Sequence, residues 1–211
     1  MGIDYLLFRR GPLTMAPSQF GIFTKSDKRF DTPNIEFHIQ PLSLDSFGKP
    51  LHKFPGLTVS VCNLRPLSRG TVYLSSSNPF DKPKIAPNYL SDYEDQQVAV
   101  ESILKARELM ATNEMAVFEP EEFLPGKNFV KPEELVQEAG KISTTIFHPV
   151  GTAKMGSYDD PMAVVNEKLK VRGFKNLRVV DGSVMPVITS GNTHTPIVMI
   201  AEKASEMILN D

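Results

Sequence analysis

Between residues 34 and 79 the chain offers three strand-like runs with no helix between them, and this constrains the fold more than any other feature. NIEFHIQP (34–41) alternates Ile35, Phe37 and Ile39 with Glu36, His38 and Gln40, the period of a half-buried strand. LTVSVCNL (57–64) and GTVYLSSSNP (70–79) follow, with RPLSRG (65–70) as the turn between them. Parallel neighbours need a crossover, usually a helix, so sequential strands joined by loops specify an antiparallel sheet. His38 falls on the polar side of its strand and faces solvent or a cleft. His52, in the polar loop 43–56, reads as a solvated loop residue. Residues 1–33, rich in Gly, Pro and Ser, read as irregular.

The first clear helix begins at SDYED (91–95), where Ser91 and Glu94 have the spacing of a capping box. Ala99, Ile103, Ala106 and Met110 then mark one helical face. FEPEEFLPGKNFVKPEE (118–134) breaks this helix, and its acidic run reads as a solvated face. Pro132 opens a short second helix that ends near Gly140. After residue 141 the grammar changes to an extended run, a strand, and a final helix. The fold class is therefore α+β: an antiparallel sheet with helices over 1–140, followed by the terminal strand and helix of an α/β layer over 141–211.

Bulk properties exclude several function classes. A net charge of −2 in 211 residues gives no electrostatic case for nucleic acid or anionic membrane as partner. No apolar run is long enough for a transmembrane segment, and no secretory signal pattern opens the chain. Cys62 is the single cysteine, so no disulfide framework exists and a cytoplasmic, reducing location is expected. Its strand context reads as a buried structural thiol.

Two stretches carry chemistry. In ISTTIFHPVGTAKMG (142–156) an apolar run stops at His148, and Pro149 stiffens the backbone there by pushing the residue before it toward extended geometry. Alone, His148 reads as a core histidine at a strand end. In NLRVVDGSVMP (176–186) a buried strand ends at Asp181, and Gly182 permits close approach of a ligand beyond the strand's carboxyl end. Thr195 is the expected N-cap of the last helix and Pro196 its first residue. The positive end of that helix then faces whatever lies beside Asn192–His194. No GxSxG, HExxH, CxxC, Walker A or GxGxxG pattern is present, and four scattered histidines do not make a metal site.

FHPVGTAKMG (147–156), AVVNEKLKVRG (163–173), NLRVVDGSVMP and SGNTHTPIVMIAEKASEMI (190–208), in this order, closely resemble the C-terminal signature of the glucose–methanol–choline (GMC) flavoprotein oxidoreductases. LRPLSRGTVYLSSSNPFDKPKIAPNYLSD (64–92) is similar to that family's substrate-domain strands, particularly in choline-dehydrogenase-like members. The resemblance implies FAD-dependent oxidation of a primary alcohol, choline-like or other, to its aldehyde. His148 stands at the family's proton-accepting histidine and Asn192 at its second catalytic position. Asp181 and Gly182 match a step that lies along the FAD, and Thr193, His194 and Pro196 match the segment passing the flavin ring. His194 replaces a common Asn and either binds flavin or caps the helix. Asn166 replaces a usual Asp and reads as structural.

None of the 13 glycines forms the GxGxxG by which the family cradles FAD, and full members are more than twice as long. The resemblance thus implies a C-terminal portion: substrate-binding domain over 1–140 and a return into the FAD-binding domain over 141–211. Its expected partners are a small alcohol and the missing N-terminal FAD-binding portion, in cis or in trans. The portion is expected to be inactive alone. The alternative is a non-catalytic remnant or interaction module lacking the FAD cradle.

Overall fold

The computed structural model describes residues 2–16, 18–46 and 48–211. The helices are α1 (Gly2–Phe8), α2 (Tyr93–Met110), α3 (Asn113–Ala116), α4 (Pro132–Ile142) and α5 (His194–Leu209). The strands are β1 (Phe20–Thr24), β2 (Ile35–Gln40), β3 (Thr58–Asn63), β4 (Thr71–Tyr73) and β5 (Lys84–Ala86). None of these helices is long and apolar enough to cross a membrane, among the described residues. The chain divides into two compact units, residues 1–63 with 101–121, and residues 64–100 with 122–211.

The first unit holds the antiparallel sheet β1–β2–β3 that the alternating pattern specifies. Phe37 on the central strand lies opposite Ile22 on one side and Val61 on the other. Ile35 and Phe37 are almost completely buried, so the apolar phase of NIEFHIQP points into the core. Asn34, just before β2, pins the incoming loop: its Oδ1 accepts from the Ser26 N–H and its Nδ2 donates to Ser26 Oγ. Ser26 Oγ in turn donates to Glu101 of α2 at 2.7 Å, and Arg29 pairs with the same carboxylate.

Three expectations need revision in this unit. Residues 1–33 are not wholly irregular, because α1 and β1 lie within them; the phase of FGIFT becomes visible only once β2 pairs with it. His52 is half-buried rather than freely solvated. Its ring accepts or donates at Ser43 Oγ (3.0 Å) and Asp45 Oδ1 (3.0 Å) and stacks on Phe54. Of its loop, Phe47 lies outside the described residues. The third expected strand, β4, does not extend the sheet. It pairs with β5 in a separate two-stranded ribbon of the second unit.

That ribbon closes around Gly70. A Cβ there would sit 2.4 Å from the Ala86 carbonyl oxygen and 2.6 Å from that of Pro87, backbone atoms that cannot swing aside. Gly70→Ala should therefore force β4 and β5 apart, at an overpacking cost of about 1–3 kcal/mol. Urea unfolding together with faster amide exchange across Thr71–Tyr73 checks this.

In the second unit the start of α2 is capped by Asp92, whose Oδ1 accepts from the Glu94 N–H at 2.8 Å, rather than by the expected Ser91. The box spacing was one residue out of register with the helix. Buried Asp95 accepts from the Leu67 and Ser68 N–H groups at 2.9 and 2.7 Å, tying the helix to the preceding turn. Asp95, Val98 and Ser102 form the most buried stripe of α2, whereas Ala99, Ile103, Ala106 and Met110 are only half-buried. Pro132 opens α4 as expected, and Leu135 and Ala139 bury its apolar face.

The core of this unit joins Val165, Leu169, Val184, Met185, Ile200 and Ala204. Residues 163–180 reach it through single bridges, Met155 with Val165, Val165 with Val171 and Lys170 with Arg178, rather than long ladders. The expected terminal strand LRVVD is represented by the last of these, since no second strand lies beside it among the described residues. Asp211 locks the other end of α5 by pairing with Lys170 (2.6 Å) and Arg178 (2.8 Å).

Candidate functional site

His148 and Asn192, 44 residues apart in sequence, meet in the second unit: Asn192 Nδ2 lies 3.5 Å from His148 Nε2. His148 is half-buried and Asn192 exposed, so the pair sits at a surface that a small molecule can reach. At 3.5 Å the two nitrogens stand close enough for one oxygen to be within hydrogen-bonding distance of both.

Strained backbone holds both residues. Phe147, directly before His148, takes φ +63°, and Ser190, two residues before Asn192, takes φ +58°. A bulky aromatic in the left-handed region is an outlier that costs about 1–2 kcal/mol. Such outliers persist only where the surroundings over-determine them. Here the Phe147 N–H donates to Thr145 Oγ1 at 3.0 Å, and Arg65 Nε donates to Ser190 Oγ at 3.0 Å. Pro149 fixes the other side of His148. Gly151 then turns at φ +89°, passing near the Met185 and Pro186 carbonyl oxygens.

The loop after His148 is bonded to the turn after Asp181. The Ala153 N–H donates to Ser183 O (3.0 Å) and the Met155 N–H to Val184 O (2.8 Å). Further along, Arg172 donates to the carbonyl oxygens of Gly156, Ser157 and Asp160. Lys154, bonded to Asp160 at 2.8 Å, holds that carboxyl below its ordinary range.

Asp181 caps a 3-10 turn, Gly182–Val184, by accepting from the Ser183 N–H at 2.8 Å and from the Ser183 hydroxyl. The missing side chain of Gly182 makes room for Ile197 of α5, whose Cδ1 would lie 3.0 Å from an added Cβ. That contact lets the first turn of α5 approach the Asp181 turn. The helix begins at His194 with Thr193 as N-cap, earlier than the expected Thr195, so Pro196 lies within the first turn rather than at its first position. Proline is tolerated there because the first-turn N–H groups lack intrahelical partners anyway. Thr193 is 4% exposed and makes no side-chain capping bond. The first turn of α5, two residues from Asn192, therefore receives no side-chain cap from Thr193. His194 is exposed.

The geometry finds parallels among known proteins. The family model of the GMC oxidoreductase, C-terminal domain, matches residues 66–201. The chain belongs to the GMC oxidoreductase family. It is 42% identical over 206 residues to an alcohol dehydrogenase [acceptor] of Pseudomonas putida, covering 98% of this chain and 37% of that protein. It is 39% identical to an oxygen-dependent choline dehydrogenase of Vibrio vulnificus, covering 100% of this chain and 38% of that protein. Pyridoxine 4-oxidase from Mesorbium loti superposes with TM-score 0.83 at 27% identity, over 92% of this chain and 38% of the other. Formate oxidase superposes with TM-score 0.83 at 26% identity, over 98% and 40%. The chain therefore spans a little over a third of the length of the curated GMC relatives it matches. Its mixed helix and antiparallel-sheet fold is that of the matching part of the GMC structures.

Sequence reading passed over the strained Phe147 and Ser190 and the Arg65–Ser190 bond. Nothing in a linear pattern signals a left-handed phenylalanine, because the constraint comes from residues far along the chain. Glu36, His38 and Cys62 were also not grouped. The signal existed as an E-x-H alternation opposite a cysteine strand, but only the register of β2 and β3 brings the three together.

Proposed function

We propose that this chain contributes the alcohol-binding, proton-accepting side of an FAD-dependent oxidation of a primary alcohol, choline-like or other, to an aldehyde. The observation that carries the proposal is the approach of Asn192 Nδ2 to His148 Nε2. A neutral imidazole accepts a proton near neutral pH without leaving a permanent buried charge. His148 Nε2 takes the hydroxyl proton, while the Asn192 amide donates to the oxygen and steadies its developing negative charge. The carbon–hydrogen bond then breaks with its electron pair leaving the carbinol carbon.

FAD, when bound, supplies the two-electron acceptor for this step. The residues present fit one part of such a group: the positive end of α5, with Thr193 at its N-cap without a side-chain cap bond and His194 and Pro196 in its first turn, favours an electron-rich or anionic edge. Asp181 and Gly182 set the position of that helix start. In this reading the pyrophosphate is held by an N-terminal portion supplied in cis or in trans, in keeping with the 37–38% of the relatives' length that the chain covers, and residues 141–211 return into that FAD-binding domain.

The test supplies that polypeptide, in cis or in trans, with FAD. Stoichiometric yellow flavin that bleaches anaerobically on adding a primary alcohol, choline included, is the expected result. Flavin that binds but stays oxidised across a panel of primary alcohols would make the chain a non-catalytic module instead.

A further inference from the structure

We infer that Glu36, His38 and Cys62 form a binding site for a zinc-like divalent cation. The register of β2 and β3 creates the arrangement: Glu36 pairs with Cys62 across the ladder, and His38 is two residues along the same strand. All three side chains therefore stand on one face of the sheet, opposite Ile35 and Phe37. One ligand atom from each, a carboxylate oxygen, an imidazole nitrogen and the sulfur, lies within 4.8 Å of the other two. Ligands on a tetrahedral zinc ion, bound at about 2.0–2.3 Å, stand roughly 3.5 Å apart, so a modest rotation of side chains closes the set. Mixed N, O and S donors favour zinc over magnesium or calcium.

Two unmet needs point to a ligand rather than to a settled polar cluster. His38 Nε2 is buried and makes no hydrogen bond, although it lies 3.4 Å from Glu36 Oε1; the two atoms lack the alignment. The Glu36 side chain is 4% exposed. Among the described residues no lysine or arginine pairs with it, and its carboxylate has only His38 Nε2 at 3.4 Å and a long contact from the Cys62 thiol at 4.0 Å beside it. A buried carboxylate that no lysine or arginine neutralises and a buried nitrogen without a hydrogen bond each cost free energy, and one cation between them satisfies both. Burial, and then the Glu36 charge, push the Cys62 thiol up to about 11, so without metal it stays protonated at neutral pH. On binding, the S–H bond breaks, its proton goes to solvent, and sulfur bonds the cation. Three protein ligands leave a fourth position for water.

Cobalt(II) titrated into the full 211-residue chain at neutral pH tests this directly. Because Cys62 is the single cysteine, a sulfur-to-cobalt charge-transfer band can arise only from it. The expected result is a band saturating at one cobalt per chain, removed by zinc, with Cys62 protected from alkylation in the zinc form. His38→Gln should weaken binding by about tenfold or more. No saturable band in the folded wild-type chain, or cobalt affinity unchanged by His38→Gln, would overturn the site. The wild-type band decides the matter even if Cys62→Ser does not fold.

Discussion

His148→Ala in the FAD-loaded enzyme is expected to lower kcat/KM for alcohol by about 10²–10⁴-fold, the usual contribution of a positioned general base. The reason is geometric as much as chemical. Alanine removes the imidazole that faces the Asn192 amide at 3.5 Å, while Phe147, Pro149 and Gly151 keep the loop where it is. Flavin content and unfolding midpoint should therefore change little. Asn192→Asp should also be slow, because a carboxylate beside the developing oxyanion repels it. Asn192→His, which keeps a donor, should recover part of the rate. Full turnover in His148→Ala would remove the assignment.

The contrast between what residues 34–63 and residues 142–192 disclose in one dimension follows from the range of the forces involved. The alternation of Ile35, Phe37 and Ile39 is a local consequence of burying one face of a strand, so β2 could be read directly. Pro132 at the start of α4 was legible for the same reason, since its missing N–H suits a helix's first turn. The separate β4–β5 ribbon was not legible, because the choice between joining a sheet and forming a hairpin depends on Gly70 lying against Ala86 and Pro87. At the candidate site, His148 and Asn192 were singled out through motif resemblance. Their meeting depends on Arg65, 125 residues from Ser190, and on Ile197 filling the space over Gly182. Such contacts have no period and leave no local trace. The N-cap of α5 shows the same limit at short range, since Thr193 and Thr195 offer the same chemistry and only packing chooses between them.

Val184→Asp should unfold the second unit and separate the two catalytic candidates without touching either. Val184 is completely buried in the cluster with Val165, Met185 and Ile200. A carboxylate placed there finds no cation, because the side chains packed around it are aliphatic or thioether. The loss is about 4 kcal/mol or more, against a total domain stability of about 5–15 kcal/mol. Val184→Ala, which only vacates volume, should cost about 2 kcal/mol and leave a folded protein. The backbone makes this more than a general stability effect. The Met155 N–H donates to the Val184 carbonyl and the Ala153 N–H to that of Ser183, so the segment leaving His148 hangs on the turn that Val184 anchors. On the other side of that turn, Gly182 packs under Ile197 and sets the start of α5 beside Asn192. Urea unfolding gives the total cost, and exchange of the Ala153 and Met155 amides reports the local release. Val187→Asp, at a position 58% exposed, supplies the control and should stay within about 0.5 kcal/mol of wild type. Equal losses at positions 184 and 187 would mean that the core does not hold the His148 loop to α5.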